Sequence, residues 1–178
     1  LERGTNLDLP QFTTEQLQAL YAAGHEVGCH TFGHDSVLRL DSPALAESLD
    51  RNARWVAERL DGYRMTTFAY PFGDASLGAK RALRPRFDLA RGVREGLNVG
   101  REDRMLIKSF GMESRRLPGY DLEAMMAEAA TNRGWLTAYG SPPADLGRVL
   151  TLAKQAGLTI LPIGQAWSEC VTQARAAA

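Results

Sequence analysis

The chain predicts an α/β fold of largely parallel strands covered by helices, and three observations carry that prediction. Short β-prone apolar runs alternate with apolar patterns of helical period along the whole sequence. Turn formers punctuate the junctions, among them Gly24, Asp61-Gly62, Pro71-Phe72-Gly73 and Gly157. A length of 178 residues with 44% hydrophobic content suits one domain, spanning 1–178, with a full core. In such folds ligand sites lie at the carboxyl ends of the strands.

The elements follow in order. Thr13 and Gln16 have capping-box spacing at the head of a first helix, with Leu17, Leu20 and Tyr21 as its apolar stripe and Gly24 as its stop. A short strand over 26–29 comes next. Asp41-Ser42-Pro43 opens a second helix, with Ser42 expected as N-cap and Pro43 at the first helical position. Leu45, Leu49, Val56 and Leu60 form its inner side. Residues 66–70 read as a strand closed by Pro71 and Gly73, and 87–90 and 106–110 as shorter strands. Asp121 caps a helix running to Asn132, with Leu122, Met125, Met126 and Ala129 facing inward as core. A strand over 135–138, a helix opened by Ser141-Pro142-Pro143, a last strand over 158–161 and a helix over 163–176 complete the alternation.

Composition narrows the function classes. Net formal charge is zero with 24% charged residues, so nothing calls for nucleic acid or an anionic membrane as partner. No apolar run reaches membrane-spanning length and no signal-peptide pattern opens the chain. The start at Leu1-Glu2-Arg3-Gly4 points to a processed or truncated product, which leaves the compartment open, cell envelope and secreted locations included. Two cysteines make no disulfide framework, and Cys29 reads as a small buried residue at a strand end.

All three histidines fall within Gly24-His25-Glu26-Val27-Gly28-Cys29-His30-Thr31-Phe32-Gly33-His34. His30 and His34 have i, i+4 spacing, but Gly28 and Gly33 argue against a helix. A strand ending at Cys29 and a tight loop is the expected arrangement, with Gly33 letting the chain fold back so that both rings converge. Neutral imidazole is the commonest side-chain ligand for transition metals, and two such rings suit zinc or a similar divalent ion with open positions. Ordinary loop histidines remain the alternative, and His25 is read as exposed or capping.

With those residues laid out, the sequence resembles the polysaccharide deacetylase family, metal-dependent N-deacetylases of chitooligosaccharides, peptidoglycan and related glycans. The resemblance rests on AAGHEVGCHTFGH at 22–34, similar to the family's His-Ser/Thr-x-x-His metal motif. It rests also on FAYPFGD at 68–74, similar to its Pro-Phe/Tyr-Gly groove wall, and on GLTILPIGQAW at 157–167, similar to its last strand and helix. It implies an irregular (β/α) barrel, His30 and His34 as two of three protein ligands to a divalent metal such as zinc, and Tyr70, Pro71, Phe72 and Gly73 lining a groove for a glycan or amino-sugar oligomer. It also implies that the Phe72 N–H helps stabilise an oxyanion. Two departures stand beside it. The family's early strand with paired aspartates, one the base and one the third ligand, is not found, so a first βα portion is expected to be missing; Asp8 and Asp35 are poor substitutes. No histidine follows His34, so the family's late acid is missing too. No catalytic residue is therefore assigned, and the chain by itself is expected to be inactive. A non-catalytic carbohydrate-binding relative and an amidohydrolase of a small amide or imide are the competing readings.

Overall fold

Local chemistry at helix ends fixes the first elements of the computed structural model, which describes residues 12–113, 116–140 and 143–176. Helix α1 (Thr14–Ala22) begins with the expected capping box: Gln16 N–H donates to Thr13 Oγ1 at 3.3 Å, and Thr13 N–H donates to Gln16 Oε1 at 2.8 Å. Leu17 is buried and Tyr21 packs on the core, whereas Leu20 faces solvent. Helix α2 (Ser42–Arg59) is capped one residue earlier than expected. Asp41 Oδ1 accepts the Ala44 N–H at 2.9 Å, so Ser42 is the first helical residue. Leu45, Leu49, Val56 and Leu60 all turn inward, as their spacing requires.

The strands are short and run in one direction. β1 (Thr67–Ala69) pairs in parallel with β2 (Leu89–Arg91), Thr67 opposite Leu89, and β3 (Phe110–Gly111) pairs in parallel with β4 (Ala138–Tyr139). A parallel bridge joins Cys29 to Phe68 on one side, and another joins Arg91 to Ile107. The parallel neighbours thus follow chain order, 29, 67–69, 89–91 and 107, then 110–111 beside 138–139, which is how a barrel wall grows rather than a doubly wound sheet. Helices α3 (Leu77–Leu83), α4 (Leu122–Thr131), α5 (Pro143–Gln155) and α6 (Ile163–Ala176) alternate with this wall. α3, capped by Ser76, was not foreseen; α4 starts after Asp121 as expected.

Four expected strands shrink: 106–110 keeps only the Ile107 bridge and Phe110, 135–138 keeps only Ala138 and an antiparallel bridge from Trp135 to Asn98, and two others lose their ladders altogether. Over 26–29 the pairing reduces to the Cys29 bridge, Cys29 N–H to Thr67 O at 2.9 Å and Ala69 N–H to Cys29 O at 2.8 Å. The neighbours are bonded elsewhere: Val27 N–H reaches the Tyr63 hydroxyl, and the Glu26 carboxylate accepts from Thr67 Oγ1 at 2.5 Å and from Gly164 N–H at 2.8 Å. That carboxylate sits at the amino end of α6, where backbone donors and helix dipole both favour it. Residues 158–161 make no ladder bonds among the described residues, and Leu158 N–H instead donates back to Ala153 O, closing α5. The segment runs beside cavities in place of a paired strand. Asp8, Ser141 and Pro142 lie outside the described residues.

Apolar burial falls into two clusters. Leu17, Cys29, the inner side of α2, Phe68, Tyr70, Leu83, Phe87 and Met105 make the first, under the histidine loop. Met112, Leu122, Met126, Val149 and Ala153 make the second, with Met125 packed on it, so the methionines are core.

Candidate metal centre

The histidine loop leaves the sheet at Cys29 and turns through two non-glycine residues in the left-handed region, Thr31 at φ 60 and His34 at φ 58. Gly33, expected to provide the fold-back, is not one of the positive-φ glycines. A left-handed β-branched threonine is unfavourable by about 1 kcal/mol or more and persists only where its surroundings fix it. They do so here. Thr31 Oγ1 accepts the Asp35 N–H at 2.9 Å, and Asn52 Nδ2 of α2 donates to Thr31 O at 3.1 Å and to Cys29 Sγ at 3.2 Å. Ser48 Oγ, also on α2, accepts the Phe32 N–H at 3.0 Å, and the Arg51 guanidinium lies 4.0 Å over the Phe32 ring.

This support brings the two imidazoles together. Their ring centres are 4.8 Å apart, with planes inclined by 58°. Two imidazoles on one tetrahedral zinc, at Zn–N of about 2.0–2.1 Å, would have ring centres about 5 Å apart, so the pair has the spacing of a shared ion. His30 Nδ1 is 2.6 Å from Ala69 O. A carbonyl can only accept, so Nδ1 carries the proton and Nε2 keeps its lone pair. Burial pushes the His30 pKa down from 6.5 to about 4; the bond to Ala69 opposes this, while His34 and Arg91 add to it. His30 is therefore neutral, the form that binds metal, across the physiological range. His34 Nδ1 is buried with no hydrogen-bond partner, an orphaned nitrogen of the kind a ligand satisfies.

The Pro71-Phe72-Gly73 turn closes on the same loop. Phe72, left-handed at φ 60, presents its ring edge-to-face to His34 at 4.7 Å and is 55% exposed. Ser36 Oγ donates to Asp74 Oδ2 at 2.5 Å and ties the two loops. Gly73 is required here: its φ is +79, and an added Cβ would lie 2.1 Å from Val93 Cγ2. Of the four residues expected along the groove, Tyr70 and Pro71 are in fact sealed in the core. Tyr70 is 1% exposed and its hydroxyl donates to Met105 O at 2.9 Å, because alternation along β1 turns it beneath the sheet. Phe72 is left to face the site, beside His34.

His25 is exposed, and Cys29 is 1% exposed with its thiol pushed up by burial, so neither joins the pair as a ready ligand. Asp35 is exposed beside the loop. Among the described residues no three His, Cys, Asp or Glu side chains gather around one point. Below the histidines a cavity of about 620 Å³ opens between the 25–30 segment and 160–163, with His30 and Arg91 on its wall. Arg91, at the end of β2, was missed from the sequence, where an arginine after an apolar run carries no distinguishing signal.

Residues 5–84 match the model of the family described as polysaccharide deacetylase. No curated protein matches the chain by sequence. Among solved structures, a polysaccharide deacetylase described as putative, from Mycobacterium smegmatis, is similar at 15% identity and TM-score 0.62, over 90% of this chain and 68% of its own. A CE4 family pseudoenzyme from Bacillus anthracis is similar at 13% identity and TM-score 0.61, over 86% of this chain and 50% of its own. A Streptococcus pyogenes deacetylase solved with acetate is similar at 15% identity and TM-score 0.53, over 63% and 51%. The chain thus spans about half the length of several of the structures it matches. It has the irregular (β/α) barrel fold of those solved deacetylase structures, and residues 5–84 are similar in sequence to the polysaccharide deacetylase family.

Proposed function

We propose that this chain carries the two-histidine part of a metal-dependent site that removes N-acetyl groups from an N-acetylhexosamine-containing glycan. The observation that carries the reading is the His30–His34 pair, 4.8 Å apart at the end of the parallel wall, with the His30 proton held on the Ala69 side. His30 and His34 would hold zinc or a similar divalent cation, which when bound polarises an acetamide carbonyl and makes water a better nucleophile. Ala69 O fixes the tautomer and aim of His30. Phe72 offers the sugar ring an exposed aromatic face beside His34, and its backbone N–H is the candidate donor to a developing oxyanion.

The described residues supply neither a carboxylate base nor a late acid beside the pair. Each such role typically contributes a hundredfold to ten-thousandfold in rate. The 178-residue chain by itself is therefore expected to release no acetate from N-acetylglucosamine oligomers with zinc or cobalt supplied. Robust turnover abolished by His30→Ala would contradict this assignment of roles. That same lack supports a second reading, a carbohydrate-binding relative without catalysis, and the fold is shared by proteins described as deacetylases and as pseudoenzymes. Binding of the oligomer that is lost in Phe72→Ala, without turnover in any longer form of the protein, would favour the second.

A further inference from the structure

We propose that Leu38 and Leu77 extend Phe72 into an apolar ledge beside His34, and that the amino-sugar ligand of this site carries an aliphatic chain that lies on it. The proposal rests on the N-acetylhexosamine reading above and narrows its substrate class. Among the described residues the three most exposed large apolar side chains are Leu77 at 63%, Leu38 at 58% and Phe72 at 55%. All three stand on the two loops that build the site. Leu38 follows the histidine loop, Phe72 is in the turn after β1, and Leu77 is the first residue of α3. Exposed leucines scattered singly need no explanation, but the three largest exposures meeting at one place mark a surface that receives something.

Hydrogen bonds fix this ledge. Ser36 Oγ donates to Asp74 Oδ2 at 2.5 Å and accepts the Leu38 N–H at 3.2 Å, so one hydroxyl holds the Leu38 backbone against the turn that carries Phe72. Asp74 N–H donates in turn to Pro71 O at 3.1 Å, and Ser76 Oγ caps α3 by accepting the Ala79 N–H at 3.1 Å. The hydroxyl and carboxylate of this seam are thereby bonded to each other, which leaves the leucines to set its surface chemistry. The Phe72 ring is 4.7 Å from that of His34, so a sugar seated at the imidazole pair has the ledge beside it. None of the three lies on the 25–30 edge of the wall: Leu38 runs into α2 and Leu77 into α3. The hydroxyls of an unmodified oligosaccharide would lose water against leucine, whereas an alkyl or acyl chain gains up to about fourfold in affinity for each methylene buried. The occupant is therefore an aliphatic substituent on the amino sugar.

The test is an NMR titration that follows the amide signals of residues 36–40 and 72–78 in the metal-free protein. The probes are the methyl, butyl and hexyl glycosides of N-acetylglucosamine, each below its micelle concentration. Affinity should rise along the series by up to about fourfold for each methylene buried. A folded variant with both Leu38→Ser and Leu77→Ser should bind the hexyl compound only as well as the parent binds the methyl one. Hexyl glucoside, which lacks the acetamide, separates the ledge from the reading on which it rests. If it binds as tightly as the hexyl N-acetyl compound and shows the same gain over its methyl homologue, the ledge stands and the N-acetyl reading fails. A preference for the N-acetyl compounds with no gain along the chain would leave that reading standing and overturn the ledge. The ledge is equally overturned if no hexyl compound gives a saturable shift, or if the gain survives both substitutions. A dimer in sedimentation that the two substitutions dissolve would overturn it too, by giving this face to a second copy of the chain.

Discussion

Three left-handed non-glycine residues, Thr31, His34 and Phe72, frame the histidine pair, and each is held by a contact that substitution can remove. The tightest position is Gly73. With φ at +79 and Val93 Cγ2 at 2.1 Å from a would-be Cβ, Gly73→Ala should destabilise the protein by about 3 kcal/mol, read by urea denaturation. Val93→Ala in the same chain should recover only the part due to the clash, because backbone strain remains. A loss under about 0.5 kcal/mol in the single variant would show that this turn is not fixed as described. The His30 ring carries a second expectation. Its pKa is near 4 in the fold and near 6.5 when unfolded, so between those values the unfolded chain binds more protons and acid favours unfolding. The contribution, about 3 kcal/mol, is fully present above pH 6.5 and is lost as pH falls toward 4. In metal-free protein, the drop in Tm from pH 7.5 to 5 should therefore be smaller for His30→Asn than for the parent. An equal drop would mean that His30 is protonated alike in both states.

At the scale of elements, helices were legible in the sequence where their ends have distinctive chemistry. Thr13 with Gln16, Asp121, and the apolar spacing of 45, 49, 56 and 60 all stand where the pattern placed them. The cap of α2 was misassigned by one residue because Asp41 and Ser42 are both good caps and only geometry chooses between them. Asp41→Ala should lower stability by about 1 kcal/mol, and Ser42→Ala by a few tenths at most; equal effects by thermal denaturation would return the cap to Ser42. Strands were legible as positions but not as pairings. Residues 26–29 and 158–161 have strand-like sequences, yet a ladder needs a partner in register, and partners are a property of the fold. The burial of Tyr70 was similarly hidden: the groove motif gives the order of residues, whereas alternation on β1 decides which of them face the site.

For the whole molecule, α2 supports the histidine loop from below through Ser48, Arg51 and Asn52, and the Pro71-Phe72-Gly73 turn closes it from the side. The parallel wall thus brings two imidazoles close together, with their orientation set before any ligand arrives. The family resemblance named that pair, and the backbone geometry explains how a loop without a left-handed glycine achieves it. The claim that His30 and His34 act together as ligands is tested most directly by titrating the metal-free protein with cobalt(II) while recording visible absorption. One equivalent should bind with the band intensity of a low-symmetry nitrogen–oxygen site, and His30→Ala and His34→Ala should each weaken binding at least tenfold with the fold intact. Binding that survives in both variants, or the absence of any stoichiometric cobalt spectrum in the parent, would contradict the account.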